Sequence, residues 1–148
     1  MTDPGVLTIL IIEDEVLVAI DLEMLLRDLG HIVVGIATNF DDAISLARDT
    51  QPRLALVDIN LADGPTGVAA AREIAAGGKT SCVFMSANTA MIPEDFALAV
   101  GSIGKPYSEA GMRSAVGYLT QGLLTPPPLD MAPAVLRMSK TYADKWAV

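Results

Sequence analysis

The sequence predicts an α/β domain in which helices cover both faces of a parallel sheet. Short apolar segments rich in β-branched residues alternate with longer segments whose apolar residues recur every three or four positions. This alternation is typical of βα units, which pair their strands in parallel. Apolar residues make up 51% of the chain and aromatic residues 5%, and this aliphatic composition suits buried parallel strands. We therefore expect a doubly wound (βα)5 fold with strand order 2-1-3-4-5.

Each predicted strand is a short apolar segment that ends at a polar residue or a glycine. The five strands are predicted at residues 7–12, 32–37, 54–57, 81–85 and 102–104. Helices are predicted between and after them, with apolar faces and recognisable caps. The first helix is predicted from Val18 to Leu29, with Gly30 as its stop, and the second begins after a cap at Thr38 or Asn39. The third begins at Gly67 and ends at Gly77, a short fourth helix begins at Pro93, and the last begins near Ser108.

The chain divides by composition into a body, residues 1–122, and a C-terminal segment, residues 123–148. Thr125 to Pro128 contains three consecutive prolines, which form a stiff, extended linker. The residues between Ala134 and Trp146 are sufficient for one short helix. Two interpretations stay open for this segment: an ordered or frayed tail, or a docking element that uses its apolar side chains.

The charge distribution disfavours direct nucleic-acid binding. Residues 1–122 hold 7 basic and 16 acidic side chains, a net charge of −9, which phosphates repel. No apolar run reaches the roughly 18 residues that span a membrane, and the N-terminus lacks the basic start of a secretory signal. We expect a cytoplasmic protein without membrane insertion. The single cysteine, Cys82, and the single histidine, His31, lie in or beside apolar strands, and we interpret both as structural.

Polar residues with complementary chemistry follow the predicted strands. Glu13 and Asp14 follow the first strand, Asp58 the third, Ser86 the fourth and Lys105 the fifth. The carboxyl ends of parallel strands form one rim, where doubly wound sheets bind ligands.

Three carboxylates at one rim repel one another, and a hard divalent cation such as Mg²⁺ compensates for that repulsion. A carboxylate nucleophile, a metal ion, a cationic side chain and a hydroxyl donor are the components that phosphoryl transfer requires. The rim therefore predicts phosphoryl chemistry.

Residues 6 to about 122 resemble the receiver domain of two-component response regulators, and specifically a stand-alone, CheY-like receiver with the flavodoxin-like fold. Four motifs carry the resemblance: the acidic pair Glu13-Asp14, Asp58 in Leu-Val-Asp-Ile-Asn-Leu-Ala-Asp-Gly, Ser86-Ala87, and Lys105-Pro106-Tyr107.

The resemblance implies that Asp58 accepts a phosphoryl group from a sensor histidine kinase or a phosphotransfer protein. It implies that Asp14, Asp58 and the backbone carbonyl of Asn60 bind Mg²⁺, with Glu13 binding it directly or through water. Ser86 and Lys105 would bind the phosphoryl oxygens, and the Lys105–Pro106 peptide bond would be cis. The expected function is a phosphoprotein of signal transduction that binds a downstream protein target or acts in a phosphorelay, without a DNA-binding output domain.

Two positions depart from the family pattern. Glu13 is one methylene longer than the usual aspartate. Ser102 stands where the family has an aromatic residue that turns inward on phosphorylation, so another element has to report the phosphate. We expect that element to be residues 88–100, ordering when phosphate is bound.

Two other classes of function remain as alternatives. A phosphatase of the dehalogenase kind would use Asp58 as its nucleophile, but Asn60 stands where such enzymes have their general acid. An interaction module that no longer takes phosphate would be expected to lack Asp58 or Lys105, and both are present. We therefore expect a phosphoacceptor that catalyses only its own phosphorylation and dephosphorylation.

Overall fold

The central sheet has six strands among residues 5–147, the part of the chain that the computed structural model describes. The strands are β1 (Thr8–Ile12), β2 (Ile32–Ala37), β3 (Leu54–Asp58), β4 (Ser81–Ser86), β5 (Gly101–Gly104) and β6 (Leu136–Met138). Their order across the sheet is β2-β1-β3-β4-β5-β6. The first five are parallel, which confirms the predicted winding, and β6 runs antiparallel to β5.

Within the described residues, five α-helices accompany these strands. They are α1 (Val16–Asp28), α2 (Phe40–Thr50), α3 (Gly67–Ala76), α4 (Glu109–Leu124) and α5 (Lys140–Lys145). The predicted caps are present at α2, where the Asn39 side chain accepts from the Asp42 N–H, and at α4, where Ser108 accepts from the Gly111 N–H. None of the helices in the described range is long and apolar enough to cross a bilayer.

The helix predicted from Pro93 is wrong. Two 3-10 turns, Thr89–Met91 and Phe96–Leu98, take its place between β4 and β5. The Asp95 side chain accepts from the Ala97 N–H and so closes a tight local turn, which competes with helix formation.

The buried side chains form two clusters, one on each face of the sheet. Leu7, Ile9 and Ile11 pack towards α1 and α4, whereas Leu10 and Ile12 pack towards α2 and α3. Successive residues of a strand point to opposite faces, so an unbroken apolar run serves both clusters. Burial on both faces fixes the position of β1 and β3, and with it the position of the residues at their carboxyl ends.

The C-terminal segment packs against the body. The predicted short helix is present as α5, but β6 was not predicted, because three residues are too few to show a strand pattern. Trp146 is buried against Tyr118 of α4, with ring centroids 5.8 Å apart. A Cβ at Gly122 would lie 2.5 Å from the Trp146 ring, so the glycine makes room for the indole.

Candidate functional site

Backbone pairing brings the ends of the five parallel strands to one rim. The N–H of Glu13 donates to the Ala37 carbonyl at 2.9 Å, and the N–H of Lys105 donates to the Ser86 carbonyl at 2.9 Å. Asp58 is the last residue of β3, which lies between β1 and β4. The structure therefore brings together the residues that the sequence placed at the strand ends.

The Lys105 ammonium lies between two of the carboxylates. Its Nζ donates to Glu13 Oε1 at 2.7 Å and to Asp58 Oδ2 at 3.0 Å. Glu13 is 0% exposed, and its other oxygen accepts from the Glu15 N–H at 3.3 Å. Asp58 Oδ1 accepts from the Asn60 N–H at 3.3 Å. Charge-assisted hydrogen bonds thus hold both carboxylates at the rim.

Burial is the largest single influence on the pKa values of Glu13 and Lys105. Burial, with Asp58 next to it, raises the pKa of Glu13 from 4.5 to about 7, although Lys105 opposes the rise. Burial also acts to lower the pKa of Lys105, but hydrogen bonds to Glu13 and Asp58 outweigh it and the pKa is raised. Lys105 is therefore a fixed positive charge at the rim, and a second cation would further relieve the carboxylates.

The acidic residues at the rim fit a hard divalent cation. Oxygens of Glu13, Asp14 and Asp58 all lie within 4.8 Å of one another. Carboxylate oxygens are the ligands that Mg²⁺ prefers, and they leave positions for water and phosphate oxygens. The predicted roles of these residues and of the Asn60 carbonyl as metal ligands stay predictions.

The Ser86 hydroxyl is bonded to the backbone of Asn88 in this structure. It donates to the Asn88 carbonyl at 2.9 Å and accepts from the Asn88 N–H at 2.9 Å. These two bonds close a turn at the start of the β4–β5 segment. Rotation of the hydroxyl towards the rim would break both of them.

Gly67 contributes to the site in a way that the sequence did not reveal. A Cβ at this position would overlap the Asp58 carbonyl oxygen and lie 2.7 Å from the Ile59 Cα. The Gly67 N–H also donates to the Ile59 carbonyl at 2.9 Å. The sequence indicated only that Gly67 begins a helix, whereas its small size is what allows α3 to pack against the backbone of Asp58 and Ile59.

A family model for the response regulator receiver domain matches residues 9–116. The chain belongs to this family. The Lys105–Pro106 peptide bond of the receiver domain is cis, as the resemblance implied.

The receiver domain is similar to regulators named PhyR. It is 37% identical over 114 residues to the phyllosphere-induced regulator PhyR of Methylorubrum extorquens, a match that covers 73% of this chain and 41% of that protein. The solution structure of the receiver domain of Erythrobacter litoralis PhyR is 30% identical, with a TM-score of 0.71, and the match covers 85% of this chain and 98% of that one.

A further similar structure is a complex. It contains the anti-anti-sigma factor PhyR of Bartonella quintana with the anti-sigma factor NepR, and its match is 39% identical with a TM-score of 0.51 over 53% of this chain and 33% of that one. The chain thus spans less than half the length of the whole PhyR proteins that it matches, and corresponds to their receiver domain.

Ser102, which stands where the family has an aromatic residue, lies within the sheet of the receiver. Ser102 is buried in β5, and its register partner is Arg137 of β6. The guanidinium of Arg137 lies 5.5 Å from the centroid of the Phe96 ring. The residue that pairs with Ser102 in the sheet therefore contacts an aromatic ring, which comes from the β4–β5 segment.

Proposed function

We propose that this receiver domain accepts a phosphoryl group on Asp58 from a phosphohistidine of a sensor histidine kinase or a phosphotransfer protein. The observation that supports the proposal best is the Lys105 ammonium, whose Nζ lies 3.0 Å from Asp58 Oδ2. A cation in that position neutralises charge on a phosphoryl group attached to the same carboxylate.

The transfer itself is a substitution at phosphorus. One carboxylate oxygen of Asp58 forms a bond to phosphorus while the P–N bond to the donor histidine breaks. The electron pair of that bond stays on the histidine nitrogen, which takes up a proton from solvent. Lys105 and, after rotation, the Ser86 hydroxyl donate hydrogen bonds to the phosphoryl oxygens.

We assign Mg²⁺ to the acidic residues of the rim. Glu13, directly or through water, Asp14, Asp58 and the Asn60 carbonyl would hold the ion, which when bound neutralises charge on the phosphoryl oxygens. Because Glu13 is buried and already bonded to Lys105, its contact through water is the arrangement that disturbs the rim least.

A docking surface for the phosphodonor lies beside the rim. The first turns of α1 follow the acidic residues directly and carry exposed apolar side chains: Val16, Leu17, Ile20 and Met24. Leu17 is 77% exposed and Met24 is 65% exposed. Such a stripe fits the apolar face of a partner helix, as a kinase or phosphotransfer protein would present.

The downstream target that we propose is a protein. The net charge of −8 disfavours nucleic acid. The complex of a Bartonella quintana relative with NepR suggests an anti-sigma factor as one class of partner to test. Binding of a NepR homologue to the receiver with and without beryllofluoride, measured by calorimetry, tests that class, and absence of binding in both states would exclude it.

Phosphorylation is tested with acetyl phosphate and Mg²⁺, followed by borohydride trapping and peptide mass analysis. We expect a single modification, at Asp58, that needs Mg²⁺. Asp58→Asn should abolish it, whereas the control Asp49→Asn, an exposed residue of α2, should not. Labelling that persists in Asp58→Asn or in the presence of a chelator would overturn the assignment. We further propose that the protein turns over no external substrate, and release of phosphate from a general phosphatase substrate would contradict this.

A further inference from the structure

The segment between β4 and β5 begins at the proposed phosphoryl site. The Ser86 hydroxyl makes both of its hydrogen bonds to the backbone of Asn88. The Asn88 side chain then accepts from the Ala90 N–H at 3.0 Å, within the first 3-10 turn. The position of the Ser86 hydroxyl therefore determines the conformation at the start of the segment.

The second 3-10 turn has an unusual backbone. Phe96, Ala97 and Leu98 have φ values of 54°, 48° and 68°, all left-handed. Three consecutive residues with a Cβ are unfavourable in this region, and such a turn persists only where its surroundings hold it.

Contacts from two sides hold the turn. On one side Asp95 accepts from the Ala97 N–H at 2.9 Å and is bound by both terminal nitrogens of Arg72, of α3, at 2.8 and 3.0 Å. On the other side the buried Phe96 ring lies under the Arg137 guanidinium of β6. The turn is thus clamped between α3 and the C-terminal strand.

We propose that the left-handed turn Phe96–Leu98 reports phosphorylation in this receiver, in place of the aromatic residue missing at Ser102. The proposal rests on the function proposed above. When the Ser86 hydroxyl moves to the phosphoryl group, both bonds to Asn88 break and the start of the segment loosens. The strained turn then relaxes, and Phe96 shifts relative to Arg137.

This direction is the reverse of the one expected from the sequence. The contacts of Asn88, Asp95 and Phe96 already order the segment in the unphosphorylated molecule, so the change on phosphorylation is a loosening. The C-terminal segment stays docked, because Leu136 and Trp146 are buried in the core. Phosphorylation therefore changes the surface around Phe96 and Arg137, and a partner protein would recognise that change.

The first test needs no phosphate. Ser86→Ala removes both bonds to Asn88, so the amides of Ala97, Leu98 and Ala99, which are hydrogen-bonded in the turn, should exchange about tenfold faster than in wild type. The control Thr50→Ala removes a hydroxyl bond to the Leu46 carbonyl at the end of α2 and should leave these amides unchanged. Equal exchange in Ser86→Ala and Thr50→Ala would overturn the coupling.

The second test uses beryllofluoride and Mg²⁺ with amide NMR on the wild-type protein. Shifts should appear at Asp58 and Ser86 and also at residues 96–98 and 136–138. In Arg137→Gln the shifts at 136–138 should be lost while those at 96–98 remain; the control is Arg48→Gln, in α2. Shifts confined to the rim would overturn this proposal and leave the proposed function standing, whereas no shift at Asp58 would overturn both.

Discussion

Lys105 is the residue on which the charge balance of the site depends. Glu13 and Asp58 share its ammonium at 2.7 and 3.0 Å, and Glu13 has no exposed surface. A buried carboxylate that loses its cationic partner bears an uncompensated desolvation cost. Mg²⁺ would act on the same carboxylates, so the ion and the lysine partly substitute for one another.

Lys105→Met should therefore fold but be less stable than wild type by about 2–4 kcal/mol in the absence of metal. Mg²⁺ should raise the melting temperature of this variant more than that of wild type, because the ion compensates for the missing charge. Thermal unfolding with and without Mg²⁺ measures both effects. Lys79→Met, at the opposite end of the sheet, is the control, and an equal response of all three proteins to Mg²⁺ would contradict the prediction.

His31 gives the molecule a pH dependence. Its Nδ1 accepts from the Leu7 N–H at 3.0 Å, and burial lowers its pKa from the ordinary value of 6.5. The folded state therefore binds fewer protons than the unfolded state as the pH falls through this value, so His31 stabilises the fold less in acid.

Wild type should exceed His31→Gln in free energy of unfolding at about pH 7.5, and the difference should shrink towards about pH 5.5. Urea unfolding of both proteins across this range measures the difference. A difference that is constant with pH would show that the imidazole does not change protonation on unfolding.

At the scale of elements, α3 is positioned by contact with the strand that carries Asp58. Gly67→Ala should cost about 2 kcal/mol or more, because the new methyl group meets the backbone of Asp58 and Ile59 and α3 has to move. Gly117→Ala, in α4 with nothing within 4 Å, should stabilise the protein by up to about 1 kcal/mol. Urea unfolding shows whether each substitution lowers or raises the free energy of unfolding. Destabilisation of equal size in both variants would refute the steric explanation.

The C-terminal segment is held by its apolar side chains. Trp146 is 4% exposed and contacts Tyr118 and Tyr142 edge to face at 5.8 and 5.3 Å. Trp146→Ala should lower the free energy of unfolding by about 3 kcal/mol. Leu129→Ala, just after the proline linker and 92% exposed, should change it by less than about 0.5 kcal/mol. Similar small effects in both would mean that the segment is not part of the cooperative fold.

At the scale of the whole molecule, the exposed stripe on α1 and the rim lie side by side. Leu17→Asn should slow phosphoryl transfer from a cognate phosphohistidine protein by about tenfold, because a central apolar contact is lost. Phosphorylation by acetyl phosphate should stay unchanged, since a small donor needs no docking surface. Leu129→Asn is the exposed control. Equal slowing with both donors would show that the substitution damages the rim and not the docking.

The sequence by itself determined the winding of the sheet and the rim at which the polar residues after the strands meet. A short, unbroken apolar run such as Leu54 to Val57, bounded by polar residues, predicts a strand buried on both faces, and parallel strands bring their carboxyl ends to one rim. Glu13, Asp58, Ser86 and Lys105 could therefore be placed together from local pattern alone.

Only the tertiary structure decided which atoms of the site touch, and how the β4–β5 segment and the C-terminus are used. The Lys105 bridge joins residues 47 and 92 positions away along the chain, and the Arg137 contact joins the C-terminal strand to Phe96. The sequence around Pro93 predicted a helix, but the structure has a left-handed turn at residues 96–98. The side chains that hold this turn, Arg72 and Arg137, belong to other elements, so the local sequence could not show it. Contacts between segments so far apart in the chain produce no periodic pattern in the sequence. Each contact depends on where the packing of the sheet places the ends of the strands.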